Sequence, residues 1–471
     1  MDTARLKTFV NGMWDDSVVP TITDYIAIPN KSPAFDPEWE AHGHMDKAVA
    51  LFEAWAKEKI AALPGATIEV VRLPKRTPVI YIDIPGDKDD TILMYGHLDK
   101  QPEMTGWFEG FGPWQPKRDG DKLYGRGSAD DGYAMFGALT ALLALADQKV
   151  KRARCVVLIE ACEESGSYDL PHYIDHLADR LGKPSLVICL DSGCGNYDQL
   201  WLTTSLRGIA MGVLTVRVLT EGVHSGDASG LVPSSFRILR SLISRVEDEA
   251  TGEIKLQELY TQVPPQRIEQ AKAAAKVLGD AVYSKMPFAG GTKPMNDDLT
   301  QLVLNRTWRP ALAVTGWDGY PQPQNAGNVL LPFSSAKLSF RLPPQVDAAK
   351  ATAAIKKTFE ENAPYGAVVE FDAEEGQGGW NAPQLSPWLE KSVEKASEIA
   401  FGKPAAYMGE GGTIPFMGML GEKFPETQFV ITGVLGPQSN AHGPNEFLHI
   451  PTGKAVTVAI AQIVSDHFER T

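Results

Sequence analysis

The first part of the chain alternates between short unbroken apolar runs and longer amphipathic stretches. Thr91-Ile92-Leu93-Met94-Tyr95-Gly96, Cys155-Val156-Val157-Leu158-Ile159 and Leu186-Val187-Ile188-Cys189-Leu190 have strand length and predict buried strands. Residues 67–73 and 78–84 predict two more. Asp46 to Ile60 places Val49, Leu51, Phe52, Trp55 and Ile60 at helical spacing. Tyr133 to Asp147 is apolar on nearly every face and predicts a buried helix that opens directly after Asp130-Asp131-Gly132. A further helix is predicted from Pro171 to Leu181. This alternation of strand and helix runs through Asp191, the pattern of an α/β protein with a mixed, mostly parallel sheet flanked by helices.

Past about residue 205 the texture changes. Arg207 to Leu219 alternates as a strand, Pro233 to Glu249 and Pro265 to Leu278 read as helices, and Ala336 to Leu342 reads as another strand. A Gly-rich joint from Glu375 to Trp380 then leads to a helix (Pro387 to Phe401), a strand (Phe429 to Gly433) and a Gly/Pro/Asn-rich loop around His442. The simplest organisation is a catalytic domain built from residues 1–205 and 381–471, with an α+β domain, residues 206–380, inserted between its halves. No internal repeat is visible.

The length of 471 residues agrees with two domains rather than one. With 43% hydrophobic and 22% charged residues the composition is that of an ordinary globular protein. A net charge of -14, with no Lys/Arg cluster to neutralise phosphates, argues against a nucleic-acid partner. No apolar stretch approaches the ~20 residues that span a bilayer, and the N-terminus lacks the apolar core of a secretion signal. A cytoplasmic location is therefore expected. Cys155, Cys162, Cys189 and Cys194 lack CxxC spacing and sit in or beside predicted buried strands, as small apolar thiols of a reducing compartment do.

Chemistry enters where the apolar runs end. His97 closes one predicted strand, Glu163 and Glu164 follow a second, Asp191 follows a third, and Asp130-Asp131 precede the buried helix. The carboxyl ends of strands are where active sites gather in open α/β sheets. With His442 from the far end of the chain these residues suit a pair of divalent cations. Asp130 would bridge the two, His97 and Asp191 would complete one set, and Glu164 and His442 the other, leaving each cation three protein ligands and an open position. Asp99, two residues beyond His97 on the same strand face, would orient the imidazole. Glu163, adjacent to a ligand and not needed as one, would be the general base.

Each member alone has a bland reading. A Glu-Glu pair is usually a solvated face, an Asp-Asp pair before a helix is usually an N-cap, and a histidine in a polar loop is usually at the surface. Several independent exceptions would be needed to explain the set that way. Other motifs fare worse. His172 and His176 have zincin spacing, but Tyr173 stands where HExxH has its glutamate. His42-Gly43-His44 reads as a loop, Gly125-x-Gly127 lacks the third glycine of a dinucleotide loop, and no G-x-S-x-G elbow is present.

The stretches Gly96-His97-Leu98-Asp99, Leu123 to Asp131 (LYGRGSADD), Glu163 to Ser167 (EESGS), Gly222 to Gly226 (GVHSG) and Glu410 to Pro415 (EGGTIP) resemble, in order, those of the dizinc exopeptidase family. That family holds carnosinases, cytosolic non-specific dipeptidases, glutamate carboxypeptidases and aminoacylases, and the resemblance is nearest to the carnosinase and dipeptidase branch. It implies two Zn2+ per subunit, with Mn2+ or Co2+ as possible replacements, and a cis peptide between Asp130 and Asp131. It also implies an inserted domain that acts as lid and dimerises. His224 would stabilise the oxyanion from the partner subunit, and Arg341 would grip the substrate carboxylate beside Gly412 and Thr413. On their own, His224 would read as an exposed loop histidine and Arg341 as an edge charge. Three positions depart from the pattern of the close dipeptidase relatives: Lys100 where a small apolar residue is usual, Gly132 where lysine is usual, and Gly409 where arginine is usual.

The expected protein is a homodimeric metal-dependent exopeptidase that cleaves dipeptides or similar small amides with a free carboxylate. Deacylation of N-acyl amino acids, or carboxypeptidase action, is the alternative on the same centre. A non-catalytic metal-binding protein is the alternative of another class, and the intact Glu163 weighs against it.

Overall fold

The computed structural model describes residues 1–470, so Thr471, the last residue of the second predicted catalytic segment, lies outside the described residues. A six-stranded sheet organises both chain ends. Its order is Thr67–Val71, Val79–Ile84, Arg154–Glu160, Thr91–His97, Pro184–Cys189 and Gln428–Ile431. The last four are mutually parallel, and the first two join antiparallel at one edge. The predicted mixed, mostly parallel sheet is thus present.

Strand alternation sorts side chains between two cores. From the central strand, Ile92 and Met94 face a core shared with helix Ala134–Asp147 and the C-terminal helix Ile450–Glu469, whereas Leu93 and Tyr95 face one shared with Phe416, Met417 and Tyr173. Burial on both faces is why these strands carry unbroken apolar runs instead of alternating ones. Helix Ala134–Asp147 is buried on nearly all sides for the same reason.

Several elements had no clear signal. The N-terminal helix Thr3–Met13 lies against the C-terminal helix and continues through a wide helical turn at Trp14–Val18 into helix Val19–Ile26, which packs on helix His44–Ile60. At that turn the Trp14 indole donates to Thr457 Oγ1 at 3.0 Å, and a Cβ on Gly453 would stand 2.2 Å from the Trp14 ring. The predicted helix Pro171 to Leu181 is interrupted: it runs Leu170–His176 and restarts as Ala178–Leu181, because Leu177 has left helical geometry (ψ 4°).

Residues 208–373 contain a second, antiparallel sheet in the order Ala311–Asp318, Phe333–Leu342, Gly208–Arg217 and Val368–Ala373. Helices Ser235–Val246 and Ala348–Glu360 cover its one apolar face. The Gly-rich joint lies alongside the entering strand, with main-chain hydrogen bonds in both directions between Ile209 and Gln377 (2.8 and 2.9 Å). Helices Pro265–Leu278 and Leu299–Thr307 pack elsewhere, on Trp201 and Met408 of a small three-stranded sheet.

Candidate metal centre

Neighbouring parallel strands end together, and this assembles the site. His97 is in register with Glu160, and Tyr95 with Cys189. The residues just beyond those ends, Glu163 and Glu164 in a single tight helical turn and Asp191 after its strand, therefore meet His97 at one edge of the sheet. Asp130 arrives from the glycine-containing loop before helix Ala134–Asp147, and His442 from a loop between the last strands. The Asp130-Asp131 peptide is cis.

Two groups of metal-ligand type result, His97 with Asp130 and Asp191, and Asp130 with Glu164 and His442, each with ligand atoms within 4.8 Å of one another. Asp130 belongs to both. Its Oδ1 lies 3.3 Å from His97 Nε2 and its Oδ2 3.1 Å from His442 Nε2. The second group closes with His442 Nε2 3.3 Å from Glu164 Oε2, and the first with His97 Nε2 3.8 Å from Asp191 Oδ2. Glu163 stands just outside both groups, its Oε2 4.0 Å from His97 Nε2. His97 is fully buried, whereas the His442 side chain is 58% exposed, so one side of the centre opens to solvent.

The electrostatics favour a cation. Burial, and then the negative field of Asp191, push the Glu163 carboxyl well above its usual range, and burial with Asp130 does the same to Glu164. Asp191 is pushed up to about 6 by burial despite His97. Asp130 goes the other way: burial opposes its charge, but hydrogen bonds from His442 and His97 hold it well below the carboxylate range. Glu164 Oε1 is buried without a partner. So many carboxylates are tolerable in a buried site when cations neutralise them, and imidazole with carboxylate suits Zn2+, Mn2+ or Co2+.

Supporting contacts refine the sequence reading. His97 Nδ1 lies 3.1 Å from the Asp99 main-chain oxygen and 3.4 Å from its Oδ1. The Asp99 carboxylate itself accepts the Glu163 and Glu164 N–H groups at 3.1 and 3.0 Å, so it holds the Glu163–Glu164 turn as well as the imidazole. Three contributors have no role assigned to them in the sequence reading. Gln101 Nε2 donates to Glu164 Oε2 at 2.5 Å, and Asp131 Oδ2 accepts the His97 N–H at 3.3 Å. The third is the buried pair Arg126 and Glu446 (2.6 Å). Glu446 Oε1 accepts from Gly127, Ala129 and Asp130 N–H groups, while Arg126 donates to the His442 and Gly443 carbonyls, tying two ligand loops together.

The remaining predicted residues fall into two sets. Arg341, half-buried on strand Phe333–Leu342, donates to Thr413 Oγ1 at 3.5 Å, and Thr413 donates in turn to the Arg207 carbonyl at 2.5 Å. Gly412 accepts from Arg207 N at 3.0 Å. His224 lies apart, on the two-residue strand Val223–His224, with its side chain 68% exposed and Asp227 3.8 Å away. Cys162 is buried, as the sequence reading of an apolar thiol expects, and burial pushes its thiol up. His172 and His176 are exposed on their helix, as a solvated face requires.

An α/β sheet whose strand ends and adjoining loops gather buried carboxylates with two histidines defines a metal-dependent hydrolase. The chain belongs to peptidase family M20/M25/M40, whose pattern it matches over residues 93–466. It is 27% identical over 465 residues to the cysteinylglycine-S-conjugate dipeptidase of Corynebacterium striatum, covering 94% of this chain and 97% of that one. It is 26% identical to the Cys-Gly metallodipeptidase DUG1 of Saccharomyces cerevisiae, over 76% of each chain. Human carnosine dipeptidase 1 has the same fold, with a TM-score of 0.78 at 19% identity, covering 99% of both chains. No helix among the described residues is long and apolar enough to cross a membrane.

Proposed function

We propose that this protein is a dizinc dipeptidase, cleaving dipeptides or similar small amides with a free carboxylate. The observation that carries the reading is Asp130, whose two oxygens face the two histidines of separate ligand groups. His97, Asp130 and Asp191 would hold one ion and Asp130, Glu164 and His442 the other, with Mn2+ or Co2+ as replacements for Zn2+. Bound there, such ions act as Lewis acids and make water a nucleophile near neutral pH.

The chain's own residues would divide the rest of the work. Glu163 takes the proton of the attacking water on its carboxylate and returns it to the departing amine. Asp99, through the Glu163 and Glu164 N–H groups, keeps that carboxylate beside the ligands. Arg341, with no carboxylate among its hydrogen-bond partners, would grip the substrate carboxylate beside Gly412 and Thr413.

Residues 206–380 would form a lid that also joins two subunits, with His224 donating to the oxyanion of the partner's site. The exposure of His224 supports this, as does the edge strand Ala311–Asp318, which leaves Val314 and Trp317 exposed. Four free, buried cysteines agree with a cytoplasmic setting. A panel of dipeptides against N-acyl amino acids tests the reading. Turnover of dipeptides is expected, and activity on the acylated substrates alone would make the protein a deacylase.

A further inference from the structure

Lys100 directly follows Asp99 and points its charge into the core, where it is fully buried. Its Nζ donates to the main-chain oxygens of Tyr25 and Ile28, both at 2.8 Å, and reaches that of Ile26 at 3.5 Å. These carbonyls lie at and just past the end of helix Val19–Ile26, where they carry partial negative charge; those of Tyr25 and Ile28 also accept the Ile28 and Asn30 N–H groups, both at 3.0 Å. The ammonium also stands 3.8 Å from the centroid of the Tyr25 ring and 5.3 Å from that of Trp114. All three hydrogen-bond partners are main-chain carbonyls and none is a carboxylate. Burying a lysine on such partners costs more than burying an apolar chain of similar length.

The surroundings of Lys100 are the approaches to the metal centre. Its stem runs along Gly127, where a Cβ would come within 2.6 Å of Lys100 Cε. Gly132 donates to the Gly127 carbonyl at 3.0 Å, and a Cβ on Gly132 would stand 2.3 Å from the Tyr25 ring. Tyr25 Oη and Asn30 Nδ2 both donate to the Leu98 carbonyl, at 2.7 and 2.6 Å. The helix end, the strand exit that carries His97 and Asp99, and the loop that carries Asp130 thus pack around one ring and one ammonium. Two of the departures noted in the sequence coincide here: the Tyr25 ring fills the space beside Gly132, and the cation stands at position 100.

We propose that Lys100 is a positioning residue of the metal centre, bolting the helix end to the strand exit and so fixing His97 and Asp99 relative to Asp130. This rests on the two-cation reading of the centre. The test compares wild type with Lys100→Met, which keeps the stem and removes the ammonium, by chelator competition, by kcat and KM on a dipeptide, and by Tm after metal removal. The expected result for Lys100→Met is metal affinity lower by about tenfold or more, the scale of lost support around ligands, with kcat reduced and KM unchanged. Wild-type metal affinity and kcat, with only the metal-free Tm lowered, would make Lys100 a helix clamp and overturn the proposal. Should Lys100→Met not fold, Tyr25→Phe, which removes only the hydroxyl on the Leu98 carbonyl, is read by the same criteria. A wild-type protein that binds no metal would instead overturn the reading of the centre itself.

Discussion

The cluster around Asp130 and the proposed substrate wall, Arg341 with His224 from a partner subunit, are made on opposite terms. Around the centre the supporting groups are heavily committed: Asp99 holds two N–H groups, Glu446 holds three, and Arg126 spans the His442 loop and Glu446. At the wall, Arg341 has one long hydrogen bond to a hydroxyl, and His224 faces solvent. A preorganised centre performs one reaction, while an under-committed wall waits for a substrate or a partner subunit to complete it. On the proposed function, reaction type is built into one region and specificity is left to the other.

Four substitutions probe that contrast, in decreasing order of expected effect. Glu163→Gln should lower kcat by about 10²–10⁴-fold, the contribution of a general base, while metal analysis still finds both ions. Arg126→Met should leave the buried Glu446 without its counter-charge, costing about 3–5 kcal/mol in a denaturant melt; a cost near zero would show that the ligand loops do not depend on that pair. His224→Ala should reduce kcat by about 10²–10³-fold, as loss of an oxyanion donor does. The donor should also be restorable by mixing His224→Ala subunits with Glu163→Gln subunits, because each intact site then borrows from its neighbour. Arg341→Lys should mainly raise KM, lowering kcat/KM by about 10–100-fold, the scale of charge-assisted hydrogen bonds. Equal damage to metal content from Arg341→Lys would erase the distinction between the regions.

The two regions also differed in how much could be read from sequence. Strands buried on both faces announce themselves as apolar runs, so the ends at His97, Glu163 and Glu164, and Asp191 were visible, and the sheet brought them together as expected. Gln101, Arg126 and Glu446 were not visible, because their roles depend on which loops meet in space and polar loop residues have no period. The terminal helices are not legible in the sequence reading, and they pack on helix Ala134–Asp147 as well as on each other, where Trp14 meets Gly453 and Thr457. Asp99 was read as support for the imidazole alone, because nothing in one strand indicates that its carboxylate meets the N–H groups of the next turn. Lys100 stood out only as an anomaly, and the carbonyls at the end of helix Val19–Ile26 explain it.

The shared carboxylate Asp130 is the point on which all of this depends, and metal content tests it most directly. Purified protein is predicted to bind two divalent ions per chain by elemental analysis and titration, and Asp130→Ala to lose both, because each ligand group then falls below three. A single ion in the native protein, or two retained by Asp130→Ala, would contradict the account.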